Sequence, residues 1–363
     1  MMLTDNHTVA SYFARVHLDN AVRLGGNETD ILAKAKLTRA LLKQPRTRVS
    51  AKQLAIIIRA NWHISGDELM GLTQHKIKFG VFSLLAERLV DLKTLGDVLK
   101  HTVEFYNLIS DQLHFSLDVN LQEVRFSVEP TFKQEGAHAN ATQAGALPPR
   151  SLLIEYLLLV WHRFPSWLVG QVIPLNRVCI QYPKPLHFPE YRLMFSSPCH
   201  YENKYNAVVF DAKYLNLPII QNPKELHDYL NDAPIQWFKK QSFFDTCSAQ
   251  VMRILEEINN VKETDLEAIA NRLHMTSRTL RRKLTQEGSG FQQLKDNVRR
   301  DQAIGFFEDT SLTMSEIGRR LGFTEPATFT RAFKKWTGVS PSDYRNYSLG
   351  LDVPNLIKTP NDS

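Results

Sequence analysis

The 363-residue chain predicts a mainly helical α+β protein. An α+β N-terminal domain is followed by an all-α domain with two helix-turn-helix motifs joined by a helix. Three observations carry this. Apolar residues alternate through 114–128, as a hairpin requires. The stretches before about 106 and after about 242 keep a helical period instead. Between positions 264 and 345 one pattern occurs twice, about 48 residues apart: TDLEAIANRLHMTSRTLRRKL, then TMSEIGRRLGFTEPATFTRAF.

Up to about residue 106 the helical pattern is punctuated at Gly25-Gly26, Pro45 and Gly66. In the hairpin Phe115, Leu117 and Val119 face one way, then Val124, Phe126 and Val128, with a turn near Gln122. The stretch 133–146, rich in Ala, Gly, Gln and Asn, reads as a mobile loop. An apolar helix follows near 150–163, and strand-like pieces lie at 178–182 and 207–210. Trp62, Phe79, Phe82, Trp161 and Trp167 are expected in the core. The apolar run 152–161 is interrupted by Glu155 and followed by His162 and Arg163. It is too short to span a bilayer and reads as a buried helix. This mixture predicts α+β layers, and the early helices argue against an all-β cup. Pro218, Pro223 and Pro234 frame the approach to a connection. The expected division is 11–234, a linker at 235–241, the helical domain at 242–347, and a disordered tail at 348–363.

Each repeat has the physics of a helix pair. Thr264 with Glu267, and Thr313 with Glu316, fit the capping-box spacing. Ala270 and Gly318 are small enough for the next helix to cross closely. Gly322 suits a left-handed helix end; His274 holds that place in the first copy. In the first recognition helix Leu280 and Leu284 share one face, while Arg278, Arg281, Arg282 and Thr285 lie opposite. In the second, Phe329, Phe333 and Trp336 form the apolar stripe, and Thr328, Arg331 and Lys335 point away. Pro326 fits a first helical turn. Arginines so exposed can bind guanine O6 and N7, and small methyl-bearing residues can meet thymine. A solvated basic face is the plainer reading of one such helix; two copies in register favour DNA. The joining helix, 291–308, would span roughly 27 Å, comparable with the ~34 Å between successive major-groove faces.

Charge agrees modestly. Residues 262–347 hold 15 Lys+Arg against 11 Asp+Glu, the sign that phosphate binding requires. Three cysteines, Cys179, Cys199 and Cys247, form no C-x-x-C and suit a reducing cytoplasm. The opening residues lack a signal-peptide pattern. The histidines show no paired ligand spacing, so no metal is expected, nor any cofactor. No nucleophile elbow or phosphate-binding loop argues for an enzyme. Ser197-Pro198-Cys199-His200 approaches the acceptor motif of alkyl-transfer DNA repair proteins, but Tyr201 stands where arginine is needed, so a loop-to-strand junction is preferred.

The residues 242–345, and most densely IGRRLGFTEPATFTRAFKKWTGVSPSDYR, resemble the DNA-binding domain of the AraC/XylS family of bacterial transcription regulators. The resemblance implies base-facing roles for Arg278, Arg281, Arg282, Pro326, Ala327, Thr328 and Arg331. Pro326 and Ala327 depart from the polar residues often found there. Thr285, Arg299, Lys334 and Lys335 are the expected phosphate contacts. FGVFSLLAERLVDLKTLGDVLKHTVEFY and YENKYNAVVFDAKYLNLPI resemble the sensor domain of a subclass named for arabinose binding. This implies a cytoplasmic homodimer, an activator that engages double-stranded promoter DNA, RNA polymerase and an unidentified small-molecule effector, with no membrane. Glu155, His162 and Arg163 are candidate effector contacts; buried core polar groups are the plainer alternative. A regulator whose N-terminal domain only oligomerises, or a repair regulator using Cys199, are the competing readings.

Overall fold

The computed structural model describes residues 8–44, 46–132, 149–185, 187–195, 197–238, 247–258, 261, 264–287 and 289–349. The chain divides into two compact units, with boundaries after Ile58 and before Asp245. The segment before the first boundary groups with the C-terminal helices. This differs from the division expected from the sequence, which places 11–58 with the N-terminal domain.

The reason lies in a small β-pair. Strand β1 (Thr8–Ala10) runs antiparallel to β2 (Arg48–Ser50), with Val9 opposite Val49. Between them fold α1 (Ser11–Arg23), α2 (Glu28–Ala35) and α3 (Arg39–Lys43). The Asn27 side chain caps α2 by accepting from the Asp30 N–H, and Thr38 caps α3 by accepting from Leu41. These caps satisfy donors that a helix start leaves open. Arg48 is buried, and its Nε donates to Thr8 Oγ1 at 2.8 Å. Thr8 in turn donates to Asp301 at 2.7 Å, and the Tyr344 hydroxyl donates to the Arg48 carbonyl. Buried polar groups need partners, and here they find them across nearly the whole length of the chain. Three-residue strands carry too little alternation to be read from sequence.

From β2 the chain enters α4 (Ala51–Ser65), then α5 (Val81–Leu89) and α6 (Leu95–Ile109). A capping box of Thr94 and Asp97 starts α6. The expected hairpin is present as β3 (Leu113–Val119) and β4 (Glu123–Pro130), with Val119 opposite Val124. Phe115, Val124, Phe126 and Val128 are buried, while Val119 at the tip is 52% exposed. Then follow α7 (Pro149–Leu168), β5 (Leu175–Cys179), α8 (Pro189–Phe195), β6 (Cys199–His200), β7 (Ala207–Asp211), α9 (Pro223–Asp232) and α10 (Ile235–Phe238). The sheet order is β3-β4-β7-β5-β6, antiparallel except where β5 meets β6.

Helix α7 contacts β4 and β7, and Trp161 on it packs against Tyr106, Phe115 and Phe126 at ring separations of 5.6, 6.5 and 6.2 Å. Trp62 meets Trp237 edge-on at 5.7 Å. Phe79, expected in the core, is 59% exposed, although its ring lies 5.4 Å from that of Trp62. Residues 235–238, read as linker, form α10, because Trp237 is buried within this unit. Among the described residues no helix is long and apolar enough to cross a membrane. The loop expected at 133–146 lies outside the described residues, as does the tail beyond Leu349.

The remaining helices are α11 (Cys247–Glu257), α12 (Leu266–Arg272), α13 (Ser277–Gln286), α14 (Phe291–Phe306), α15 (Met314–Arg320), α16 (Pro326–Thr337) and α17 (Pro341–Ser348). Val251, Leu255, Ile269, Leu280, Leu284 and Val298 form one cluster. Phe307, Phe333 and Tyr344 form another, with ring separations of 5.2 to 5.5 Å.

Candidate nucleic-acid interface

Two helix pairs, α12–α13 and α15–α16, repeat each other down to single hydrogen bonds. The Met275 N–H donates to Ala270 O at 3.0 Å, and Phe323 N–H to Gly318 O at 2.8 Å. Both turns pass through a left-handed residue, His274 at φ 53° and Gly322 at φ 80°. A histidine there costs more than glycine but is tolerated as a single residue. A Cβ on Gly318 would approach Phe329 Cβ to 3.3 Å, so the small residue permits the close crossing.

The starts of the helices differ from expectation in one copy. The second pair has the full box, Thr313 with Glu316. In the first the cap is Asp265, whose side chain accepts from the Ala268 N–H at 2.7 Å, so the Thr264–Glu267 pairing gives way to its neighbour. Thr276 caps α13, while α16 starts at Pro326 without a side-chain cap. The second turn is therefore one residue longer. Leu280 and Leu284 correspond to Phe329 and Phe333, 49 positions on, all buried. That shift makes Arg282 the counterpart of Arg331, and Ala327 that of Arg278.

The outward faces are as the helical period required. Arg278, Arg281, Arg282 and Thr285 on α13 are exposed, as are Pro326, Ala327, Arg331, Lys334 and Lys335 on α16; Thr328 is half-buried. Arg331 Nη2 lies 3.3 Å from Thr328 Oγ1, and Thr285 Oγ1 donates to Arg281 O.

Arg299, expected at phosphate, is instead an internal brace. It is 8% exposed, its Nε donates to Leu321 O at 3.1 Å, and its guanidinium lies 3.8 Å from the Phe323 ring centre. One turn earlier on the same helix, buried Lys295 donates from Nζ to Thr264 O at 2.7 Å, at the start of the first pair. Thus α14, ~24 Å long at 1.5 Å per residue, is fastened to both pairs. Both side chains were missed as fasteners, because a lysine and an arginine on a polar helix look the same whether they face water or a carbonyl.

In the other unit, Glu155, His162 and Arg163 are all buried on α7. Glu155 is 3% exposed. Its Oε1 accepts from Tyr182 Oη at 3.1 Å and from Tyr191 Oη, with His187 Nε2 at 3.4 Å; its Oε2 has no hydrogen-bond partner among the described residues. Burial beside this carboxylate raises the Tyr191 phenol far above its usual range, so it stays a donor. His162 Nε2 donates to Ile173 O at 2.9 Å, and Arg163 to Met194 O at 2.5 Å. Burial lowers His162 to about 3 and Arg163 to about 10. The two face different partners from Glu155, so the structure does not gather the three into one hydrogen-bonded cluster. Tyr182, Tyr191 and His187, which do join Glu155, are distant in sequence and gave no signal. Among the described residues no group of His, Cys, Asp and Glu is placed to hold a metal. Cys199 opens β6, at the loop-to-strand junction expected of it.

A helix-turn-helix region with arginine-bearing outward faces, following an α+β domain in the sequence, defines the class of DNA-binding transcription regulators. The chain belongs to the AraC family: the arabinose-binding domain of AraC transcription regulators, N-terminal, matches residues 25–219, and a helix-turn-helix domain matches 269–347. The Ornithine utilization regulator of Pseudomonas aeruginosa is 25% identical over 342 residues, 92% of this chain and 95% of its own. The transcriptional regulator VqsM of the same organism is 24% identical over 292 residues, 76% of this chain and 82% of its own. The solved structure of the transcriptional regulator CdpR from Pseudomonas aeruginosa is 18% identical, covers 92% of this chain and 98% of that chain, and superposes with a TM-score of 0.33.

Proposed function

We propose that this protein regulates transcription by seating α13 and α16 in successive major grooves of one promoter, under control of a small-molecule effector. The observation that carries the reading is the bracing of both helix pairs by one helix, through Lys295 and Arg299. A rigid spacer between two recognition helices makes their simultaneous docking a single event. Arg278, Arg281, Arg282 and Arg331 read bases, with Pro326, Ala327 and Thr328 beside them. Thr285, Lys334 and Lys335 hold phosphates.

The effector is assigned to the unit around α7. A buried carboxylate carrying phenol donors on one oxygen only is costly to maintain, which supports a ligand that completes Glu155. That unit also pairs two protomers, and the bound dimer recruits RNA polymerase in the cytoplasm. Footprinting on genomic fragments selected by the protein tests the docking: protection of two neighbouring groove faces is expected, and protection of one face would overturn it. A thermal-shift screen of metabolites, ornithine among them because a relative is named for its utilisation, tests the effector.

A further inference from the structure

All of the net charge lies in one unit. Residues 1–58 and 245–363 together hold 26 Lys+Arg against 20 Asp+Glu, and residues 59–244 hold 18 against 18. Within the charged unit the N-terminal segment carries the larger excess, +5 in 58 residues beside +4 on the helix-turn-helix segment 262–347, whose flanks are acidic. Residues 1–58 carry 9 Lys+Arg against 4 Asp+Glu, whereas 245–363 carry 17 against 16. Two of the four acids, Asp19 and Glu28, are both spent on Arg39.

The placement of this basic segment is specific. It is held to α14 by Thr8 with Asp301 and to α17 by Tyr344 with Arg48, and α3 packs on α17. Its exposed cations Lys43 and Arg46 lie at the end of α3 and just beyond it. A side chain on Gly338, the C-cap of α16, would meet Arg46 Cβ at 3.9 Å. Lys334 and Lys335, both exposed, occupy the last turn of that same helix. Arg46 therefore extends the basic end of α16. The one acid opening α17, Asp343, accepts from Ser340 Oγ at 2.6 Å.

We infer that residues 8–58 form a third DNA-contacting element, in which Lys43 and Arg46 bind the phosphate backbone beside the second recognition helix. The inference rests on the proposed docking of α16. It gives the N-terminal segment a direct share of DNA affinity. The matched N-terminal family domain begins at residue 25, so this surface falls partly inside a region named for sensing.

The test is the salt dependence of binding by the full chain to a long mixed-sequence duplex, read by anisotropy. Each lost phosphate contact lowers the slope of log K against log salt by about 0.9. The double variant Lys43→Gln with Arg46→Gln should lower it by about 1.8, with an unchanged melting temperature. Lys93→Gln with Lys100→Gln, exposed on the neutral unit, should leave it alone. An unchanged slope for the first pair, or an equal fall for the second, overturns the inference. Lys334→Gln with Lys335→Gln separates it from the reading beneath: if only that pair lowers the slope, α16 docks and the N-terminal element does not. If neither pair does, both fall.

Discussion

The Arg299 guanidinium lies 3.8 Å from the centre of the Phe323 ring, while its Nε bonds the carbonyl of Leu321. One side chain thus clamps the turn that aims α16 and ties it to α14. A planar cation that stacks and donates at once is a task lysine does not share. Arg299→Ala is expected to destabilise the chain by about 1–3 kcal/mol, and Arg299→Lys to recover little of it. Thermal melting checks this; a lysine variant as stable as the wild type would show that the ring contact contributes nothing.

Arg281 and Arg331 stand on the opposite faces, out in solvent. Their replacement by alanine should leave melting unchanged and cost about 1–3 kcal/mol at a cognate site, relaxing preference at the contacted base. Competition binding with cognate and random duplexes measures both. Equal weakening on the two would mean that these arginines touch backbone and not bases.

The first pair is capped by Asp265 and the second by Thr313. Asp265→Ala and Thr313→Ala should each cost about 0.5–2 kcal/mol in denaturant melts. A neutral Asp265→Ala would return the cap to Thr264.

Acid should loosen the protein through its buried histidines. His162 has its folded pKa lowered to about 3 by burial, and His17 to about 4, against an ordinary 6.5. Below pH 6.5 the unfolded chain takes up these protons first, so stability is full above 6.5. It is lost as pH falls towards each folded value. His162→Gln, which keeps a donor for Ile173 O, should flatten the decline between pH 6.5 and about 3. A stability curve with the wild-type slope would remove His162 from the cause.

Much of this is legible in the sequence. The alternation of Phe115, Val124, Phe126 and Val128 marked the hairpin, because a strand's side-chain period is two. The spacing of Leu280 with Leu284, and of Phe329 with Phe333, set which faces of α13 and α16 turn inward, and so which arginines turn out. Local patterns of this kind are written within a few residues and depend on backbone period alone.

Tertiary structure decided what pattern could not carry. Arg299 and Lys334 have the same local sequence signal, yet one braces a turn and the other meets solvent, because only the packed neighbours determine which carbonyl a cation finds. Residues 8–58 read as helices ahead of a sheet, but Thr8 meets Asp301 and Tyr344 meets Arg48 across nearly 300 positions. The sequence by itself determined the elements, their faces and the family. The grouping of residues 8–58 with the C-terminal helices was decided by buried polar groups that find partners only when the chain closes on itself.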